Sequence, residues 1–246
     1  MTRTPRPDRD DLGARLGAAE DRVRADARAL LADRLRDRGA AAIDEPIARA
    51  LLVPLGSASR TEQRHTADLV APFVEQAETL RAVLREALAA PGARLRWGAA
   101  YTLGRALPPG RDLWPAALET MRLDDGDQRW AAAELACRIA RREPAVRDDI
   151  LRALGDPSAT LRKMILYCLR DLQDTSLAER ATDLLADADT GVRLAALAAL
   201  AVVAPSETTA QDRGRAARTM VDLLRTDPDP GVRRAAAATL GKLRLA

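Results

Sequence analysis

The chain has 246 residues, 47% of them hydrophobic but only 2% aromatic, and a formal net charge of +3. Alanine and leucine supply most of the apolar content and arginine far exceeds lysine, so strand-type runs of Val, Ile, Thr and aromatics are missing and an all-helical fold is expected. The near-balanced charge and pI near 9.3 permit a polyanionic partner without requiring one, and the arginine excess reads first as the bias of a GC-rich genome.

Two cysteines and one histidine offer no zinc-ligand spacing and no disulfide framework, so neither a metal nor a cofactor is expected. No 18-residue apolar run exists, and Met1 to Asp11 is polar and proline-containing rather than signal-like, which makes a cytoplasmic location the expectation.

In chain order, residues 1–8 read as a disordered tail. Residues 9–60 read as an N-terminal helical cap, with a charged helix over Asp10–Arg38 and a short apolar one over Ile43–Val53. From residue 61 onward one helix pattern recurs at intervals of 31 to 40 residues, starting at Gln63, Leu95, Gln128, Leu161, Val192 and Val232. The second place is Arg in every copy: Arg64, Arg96, Arg129, Arg162, Arg193 and Arg233. The fifth is apolar throughout (Ala67, Ala99, Ala132, Ile165, Ala196, Ala236), and places 1, 5, 8, 9 and 12 fall on one helix face. Breaks such as Gly155-Asp-Pro157, Asp189-Thr-Gly191 and Asp227-Pro-Asp-Pro-Gly231 precede the copies, with Asp placed to cap the next helix. Between copies, Glu75–Ala89, Leu113–Met121, Val146–Leu154, Leu177–Leu185 and Ala210–Leu224 read as a second, amphipathic helix. The longer interval before Val232 is taken up by Val203–Asp212.

Asp227-Pro-Asp-Pro-Gly-Val-Arg-Arg-Ala-Ala-Ala-Ala-Thr-Leu-Gly-Lys-Leu243 resembles the HEAT-like repeat of the phycobilisome-lyase type, and Asp189-Thr-Gly-Val-Arg-Leu-Ala-Ala-Leu-Ala-Ala-Leu200 is a second copy. The likeness covers residues 61–246. It implies an all-α, right-handed α-solenoid (an α–α superhelix) of about six HEAT-like helix pairs behind the N-terminal cap. It also implies a structural role for the recurrent Asp and Arg, which in such repeats link neighbouring copies as a ladder.

A helix wheel places positions 3, 7, 10 and 14 opposite the buried face, which in a HEAT-type solenoid is the concave surface. There stand His65, Trp97, Tyr101, Trp130, Glu134, Arg141, Lys163, Tyr167 and Arg170, four of them aromatic in a chain with six aromatic residues. Aromatic anchors with a few charges are the composition of binding hot spots and ligand pockets, so these nine residues form the candidate site. Cys137 shares place 10, whereas Cys168 belongs to the buried row and Trp114 to an outer helix, both with structural roles expected.

Two functions remain open. One is a non-catalytic scaffold that recognises a partner protein or ligand in this groove. The other follows from a second resemblance: Trp130-Ala-Ala-Ala-Glu134 and Arg162-Lys-Met-Ile-Leu-Tyr-Cys-Leu-Arg-Asp-Leu172 are similar to inner helices of bacterial HEAT-like alkylpurine DNA glycosylases. That resemblance implies Glu134 as the catalytic carboxylate, Trp97, Trp130 and Tyr167 at the damaged nucleotide, and Arg141, Lys163 and Arg170 at phosphates. Tyr167 stands where a tryptophan is usual.

Overall fold

The computed structural model describes residues 9–174, 176–202 and 210–243, and every regular element among them is helical. The expected tail at residues 1–8, and residues 203–209 of the Val203–Asp212 connection, lie outside the described residues. The chain divides into two compact units, residues 1–120 and 121–246.

The first unit holds α1 (Arg9–Leu16), α2 (Asp21–Arg38), α3 (Glu45–Ala50), α4 (Leu52–Leu55), α5 (Arg60–Val70), α6 (Glu78–Ala87), α7 (Ala93–Ala106) and α8 (Trp114–Thr120). Helices α5 and α7 pack side by side, and α7 also packs against α6 and α8. The second unit holds α9 (Gly126–Ala140), α10 (Pro144–Arg152), α11 (Ala159–Asp171), α12 (Leu177–Leu184), α13 (Thr190–Leu200), α14 (Ala210–Thr226) and α15 (Pro230–Leu243). There α9, α11, α13 and α15 pack in succession as one layer, with α10, α12 and α14 against them. The inner helices bury the face set by the repeat: in α11, Leu161, Ile165, Cys168 and Leu169 are buried, with Leu172 just beyond the helix, and in α13, Val192, Ala196, Ala199 and Leu200.

The turns explain why Asp and Arg recur. A cap side chain accepts the N–H three residues on: Ser59 from Glu62, Asp125 from Gln128, Ser158 from Leu161, Asp189 from Val192. Two residues before the cap, a second carboxylate accepts the cap residue's own N–H: Asp156 from Ser158 (2.8 Å), Asp187 from Asp189 (2.8 Å), Asp227 from Asp229 (2.9 Å). The place-2 arginine then reaches back over that turn. Arg162 Nη1 donates to the carbonyls of Asp156 and Pro157 (2.8 and 3.1 Å), and Arg193 Nη1 to those of Asp187 and Ala188 (2.9 and 3.1 Å). Arg233 Nη1 does the same to Asp227 and Pro228 (2.7 and 3.1 Å). The remaining nitrogens grip a carboxylate of the following repeat, Arg162 on Asp187 (2.8 and 2.7 Å) and Arg193 on Asp227 (2.8 and 3.1 Å). Burial pushes the Asp187 and Asp227 carboxyls up, but these guanidiniums outweigh it and hold both below the usual carboxylate range. At the middle copy Arg122, not Arg129, takes Asp156 (2.7 Å), and Arg129 keeps only the Leu123 carbonyl (2.7 Å).

The same fork recurs at Arg24, inside residues 9–60. Its Nη1 donates to the carbonyls of Ala18 and Ala19 (both 2.7 Å), and its other nitrogens hold Glu62 on α5. By this criterion α2 stands in the inner-helix position of one more helix pair.

The sequence expectations need two corrections here. Asp10–Arg38 is two helices, broken after Leu16 by Gly17 and the turn whose carbonyls Arg24 holds, and Ile43–Val53 is divided between α3 and α4 around Leu51.

Candidate functional site

The candidate residues fall into one cluster in each unit. In residues 1–120, Trp97 and Tyr101 lie one turn apart on α7 with ring centroids 5.5 Å apart. Arg105, one turn further, covers the Tyr101 ring at 5.5 Å and pairs through Nε with Asp68 on α5 (2.9 Å). His65 is exposed on α5, one turn before Asp68.

Trp97 is only 3% exposed. The wheel expectation of an open groove wall therefore does not describe it. The reason lies in how closely α7 is packed. Trp97, Gly98, Ala99 and Ala100 are consecutive and all buried, so this turn of helix is enclosed around most of its circumference. Gly98 permits the approach, since a Cβ there would fall 2.1 Å from the Leu55 carbonyl oxygen. Gln63, at place 1 of its copy, secures the same carbonyl by donating to it at 2.6 Å.

In residues 121–246 the cluster is open. Trp130 on α9 is 52% exposed, against 6% for Trp114, and its ring lies 4.9 Å from that of Tyr167 on α11 at an interplanar angle of 40°. The separation lies within the range of about 4.5–7 Å for interacting aromatic pairs, and the tilt lies between stacked and edge-to-face. The Arg170 guanidinium, one turn beyond Tyr167, sits 5.1 Å over its ring. Lys163 stands one turn before Tyr167 and is half-buried, while Glu134, one turn after Trp130, is exposed. Neither Lys163 nor Glu134 has an ion-pair partner among the described residues. Arg141, at the end of the same face, pairs with Asp171 (2.7 Å). Towards the C-terminus the face continues over Leu194 and Ala198 of α13 to the exposed Arg234 and Ala238 of α15.

Beneath this face lie the two thiols. Cys137 was expected in the groove at place 10 but is buried, directed at the Cys168 carbonyl (3.7 Å), while the Cys168 sulfur faces the Ala133 carbonyl (3.8 Å). A small thiol one turn deeper than Glu134 fills the seam between α9 and α11. Contact with Cys137 and burial push the Cys168 thiol well above its ordinary range, which leaves it protonated and inert as a nucleophile.

The residue of clearest structural weight that sequence reading missed is Glu62. It accepts from Arg24 (2.7 Å twice) and Arg28 (2.5 Å) in a buried cluster between α2 and α5. Arg24 at place 2 of an unrecognised copy was the available signal.

No protein-family model matches the chain, and no curated protein matches it by sequence. Solved structures do. An archaeal HEAT-like repeats protein from Thermococcus onnurineus NA1 superposes with a TM-score of 0.55 over 98% of this chain and 99% of that one, at 14% identity. Cex1p superposes with a TM-score of 0.56 over 96% of this chain and 53% of its own, at 13% identity. At these identities the likeness is one of fold. Together with the repeated Asp–Arg turns and paired helices, it shows an all-helical α-solenoid of HEAT-like helix pairs.

Proposed function

We propose that the chain is a non-catalytic binding module whose contact face is the inner-helix surface of residues 121–246, centred on Trp130 and Tyr167. The carrying observation is Trp130: a tryptophan left 52% exposed yet in tilted contact with Tyr167 across adjacent helices is a preformed anchor. Glu134, Lys163 and Arg170 ring it with charge of both signs, the composition of a hot spot with a polar rim. On this reading the repeats are of the phycobilisome-lyase HEAT-like type, residues 9–60 close the N-terminal end, and the chain works in the cytoplasm, where its two thiols stay reduced. No helix among the described residues is long and apolar enough to cross a membrane.

The glycosylase reading shares this face, since Trp130 and Glu134 are both exposed one turn apart. It is the weaker one because Trp97, which it places at the damaged nucleotide, is buried. One experiment separates them. Host-cell extract is passed over the immobilised chain and its Trp130→Ala variant, and both are titrated with alkylated duplex DNA. Retention of a protein by the parent and not by a normally helical Trp130→Ala variant is the expected result. Equal retention by both, or salt-dependent duplex binding with base release lost in Glu134→Gln, would refute the proposal.

A further inference from the structure

The charges around the Trp130–Tyr167 anchor are unevenly satisfied. Several arginines elsewhere in the unit are matched to carboxylates, Arg122 to Asp156, Arg147 to Asp174, Arg162 to Asp187, Arg193 to Asp227 and Arg215 to Asp183, while Arg129 and Arg233 hold turn carbonyls instead. On the inner-helix face, Lys163, Arg170 and Arg234 have no carboxylate partner among the described residues. Among the described residues, the carboxylate left unpaired there is Glu134, because Asp171 is used by Arg141. The face is therefore cationic, with a single acidic point beside its aromatic anchor.

Its contour is as specific as its charge. Between Tyr167 on α11 and Arg234 on α15 lies α13, which offers only Leu194 and Ala198 at the corresponding places. Packed helices are about 8–10 Å apart, so two steps span about 16–20 Å. An extended chain covers that in about five to six residues. Along this line α13 presents the half-buried Leu194 and the exposed Ala198, neither of them charged.

We propose, building on the binding reading above, that this face takes an extended acidic segment of a partner protein. An apolar or aromatic side chain of the segment rests on Trp130 and Tyr167. A carboxylate beside it meets Lys163 and Arg170, and a second carboxylate about five to six residues along meets Arg234. Glu134 selects a peptide over a nucleic acid. A polynucleotide stacked on Trp130 would bring uniformly charged phosphates against that carboxylate, whereas a peptide offers it an amide N–H or a hydroxyl.

The test uses fluorescein-labelled ten-residue peptides read by anisotropy at low salt. One has a tyrosine flanked by glutamates, the second the same tyrosine flanked by lysines, and the third probe is an oligothymidylate of similar length. The acidic peptide should bind at least about tenfold tighter than the lysine peptide, and more weakly as salt rises. Lys163→Glu with Arg170→Glu should reverse the preference, and Arg234→Glu should weaken only acidic peptides long enough to reach it. All variants are checked for parental helicity. Tighter binding of the lysine peptide or the oligothymidylate, lost in Trp130→Ala, would overturn the acidic class while leaving the face. Acidic binding insensitive to Trp130→Ala would remove the aromatic anchor and with it the binding reading. Absence of binding by all three probes, or charge reversal without effect, would overturn the inference.

Discussion

Glu62→Gln removes one charge from the most enclosed ion cluster of residues 1–120 while keeping the side chain's size. Glu62 is 5% exposed and accepts from Arg24 Nε and Nη2 at 2.7 Å and from Arg28 Nη1 at 2.5 Å. Burial pushes its carboxyl up, but hydrogen bonds from Arg24, Ser57 and Arg28 outweigh that and bring it down to about 2. Glutamine keeps one acceptor and leaves the buried Arg24 guanidinium with the exposed Asp21 carboxylate in place of its buried counter-charge. Removing one partner of a buried pair costs roughly 3–5 kcal/mol. The depressed pKa expresses the same interactions and corresponds to roughly 3 kcal/mol. We therefore expect about 3 kcal/mol at pH 7. The pH dependence has a definite sign. A carboxyl depressed in the fold contributes fully above its unfolded value of 4.5, and the contribution disappears as pH falls towards about 2. The gap between parent and variant should thus be full at pH 7, shrink to roughly half by about pH 3 and close only near or below about pH 2. Urea unfolding followed by tryptophan emission suits the measurement, because Trp97 and Trp114 are buried in this unit while Trp130 is already half-exposed in the fold. With a slope of about 1.5–2 kcal/mol/M, the midpoint should fall by about 1.5–2 M at pH 7. A fall below about 0.5 M, or a gap that persists unchanged in acid, would refute the reasoning.

Gly98→Ala should destabilise by about 1–3 kcal/mol despite the better helix propensity of alanine, because the new methyl meets the Leu55 carbonyl at 2.1 Å; Gly155→Ala, with nothing within 4 Å, serves as the control in thermal melts. Arg193→Ala should cost about 3–5 kcal/mol, since it strands the buried Asp227, whereas Arg233→Ala loses only two carbonyl bonds and should cost roughly 1–2 kcal/mol. Equal losses in urea unfolding would show that the carboxylate grip adds nothing. Cys137 and Cys168 should react with a thiol-specific disulfide reagent no faster than the chain unfolds, given their burial and the raised Cys168 thiol; a rapid native-state reaction would contradict this.

The solenoid was readable because its evidence is repeated. Any one helix of alanine, leucine and arginine is ambiguous, but a buried row recurring behind Asp- and Gly-containing turns is fixed by register, and the rows of α11 and α13 are buried as that register demands. What could not be read was distance. A helix wheel gives the direction of a side chain about its axis, not how near the neighbouring backbone comes. It placed Trp97 and Trp130 alike, yet Gly98 draws α7 against the Leu55 carbonyl and that turn is enclosed, while α9 carries Ala131 beside Trp130 and leaves the indole open. Cys137 is the same failure on a smaller scale: a short side chain at a nominally outward place is covered by its neighbours. Arg24 escaped notice because no Pro or Asp turn introduces α2 and its twelfth place is Arg34, not an apolar residue. Its fork, holding two turn carbonyls and Glu62, is visible only in three dimensions.

That fork also bears on the meaning of the arginine excess. A basic composition invites an account in terms of phosphate binding, but a guanidinium that donates to two turn carbonyls and grips a carboxylate of the next repeat has little left to offer a ligand. Arg24, Arg162 and Arg193 are spent in this way, and Arg96 holds Glu119 together with the carbonyls of Ala90 and Pro91. Their positions follow from turn geometry: place 2 is where a long side chain, rising from the first turn of the inner helix, can fold back over the carbonyls five and six residues earlier. Arginine satisfies this and lysine does not, because only the planar fork can serve the carbonyls and the carboxylate at once. Cations available for recognition are therefore to be sought off the ladder, on the outward places of the inner helices. In residues 121–246 that criterion leads to Lys163, Arg170 and Arg234, the charges that flank or extend the exposed Trp130–Tyr167 pair.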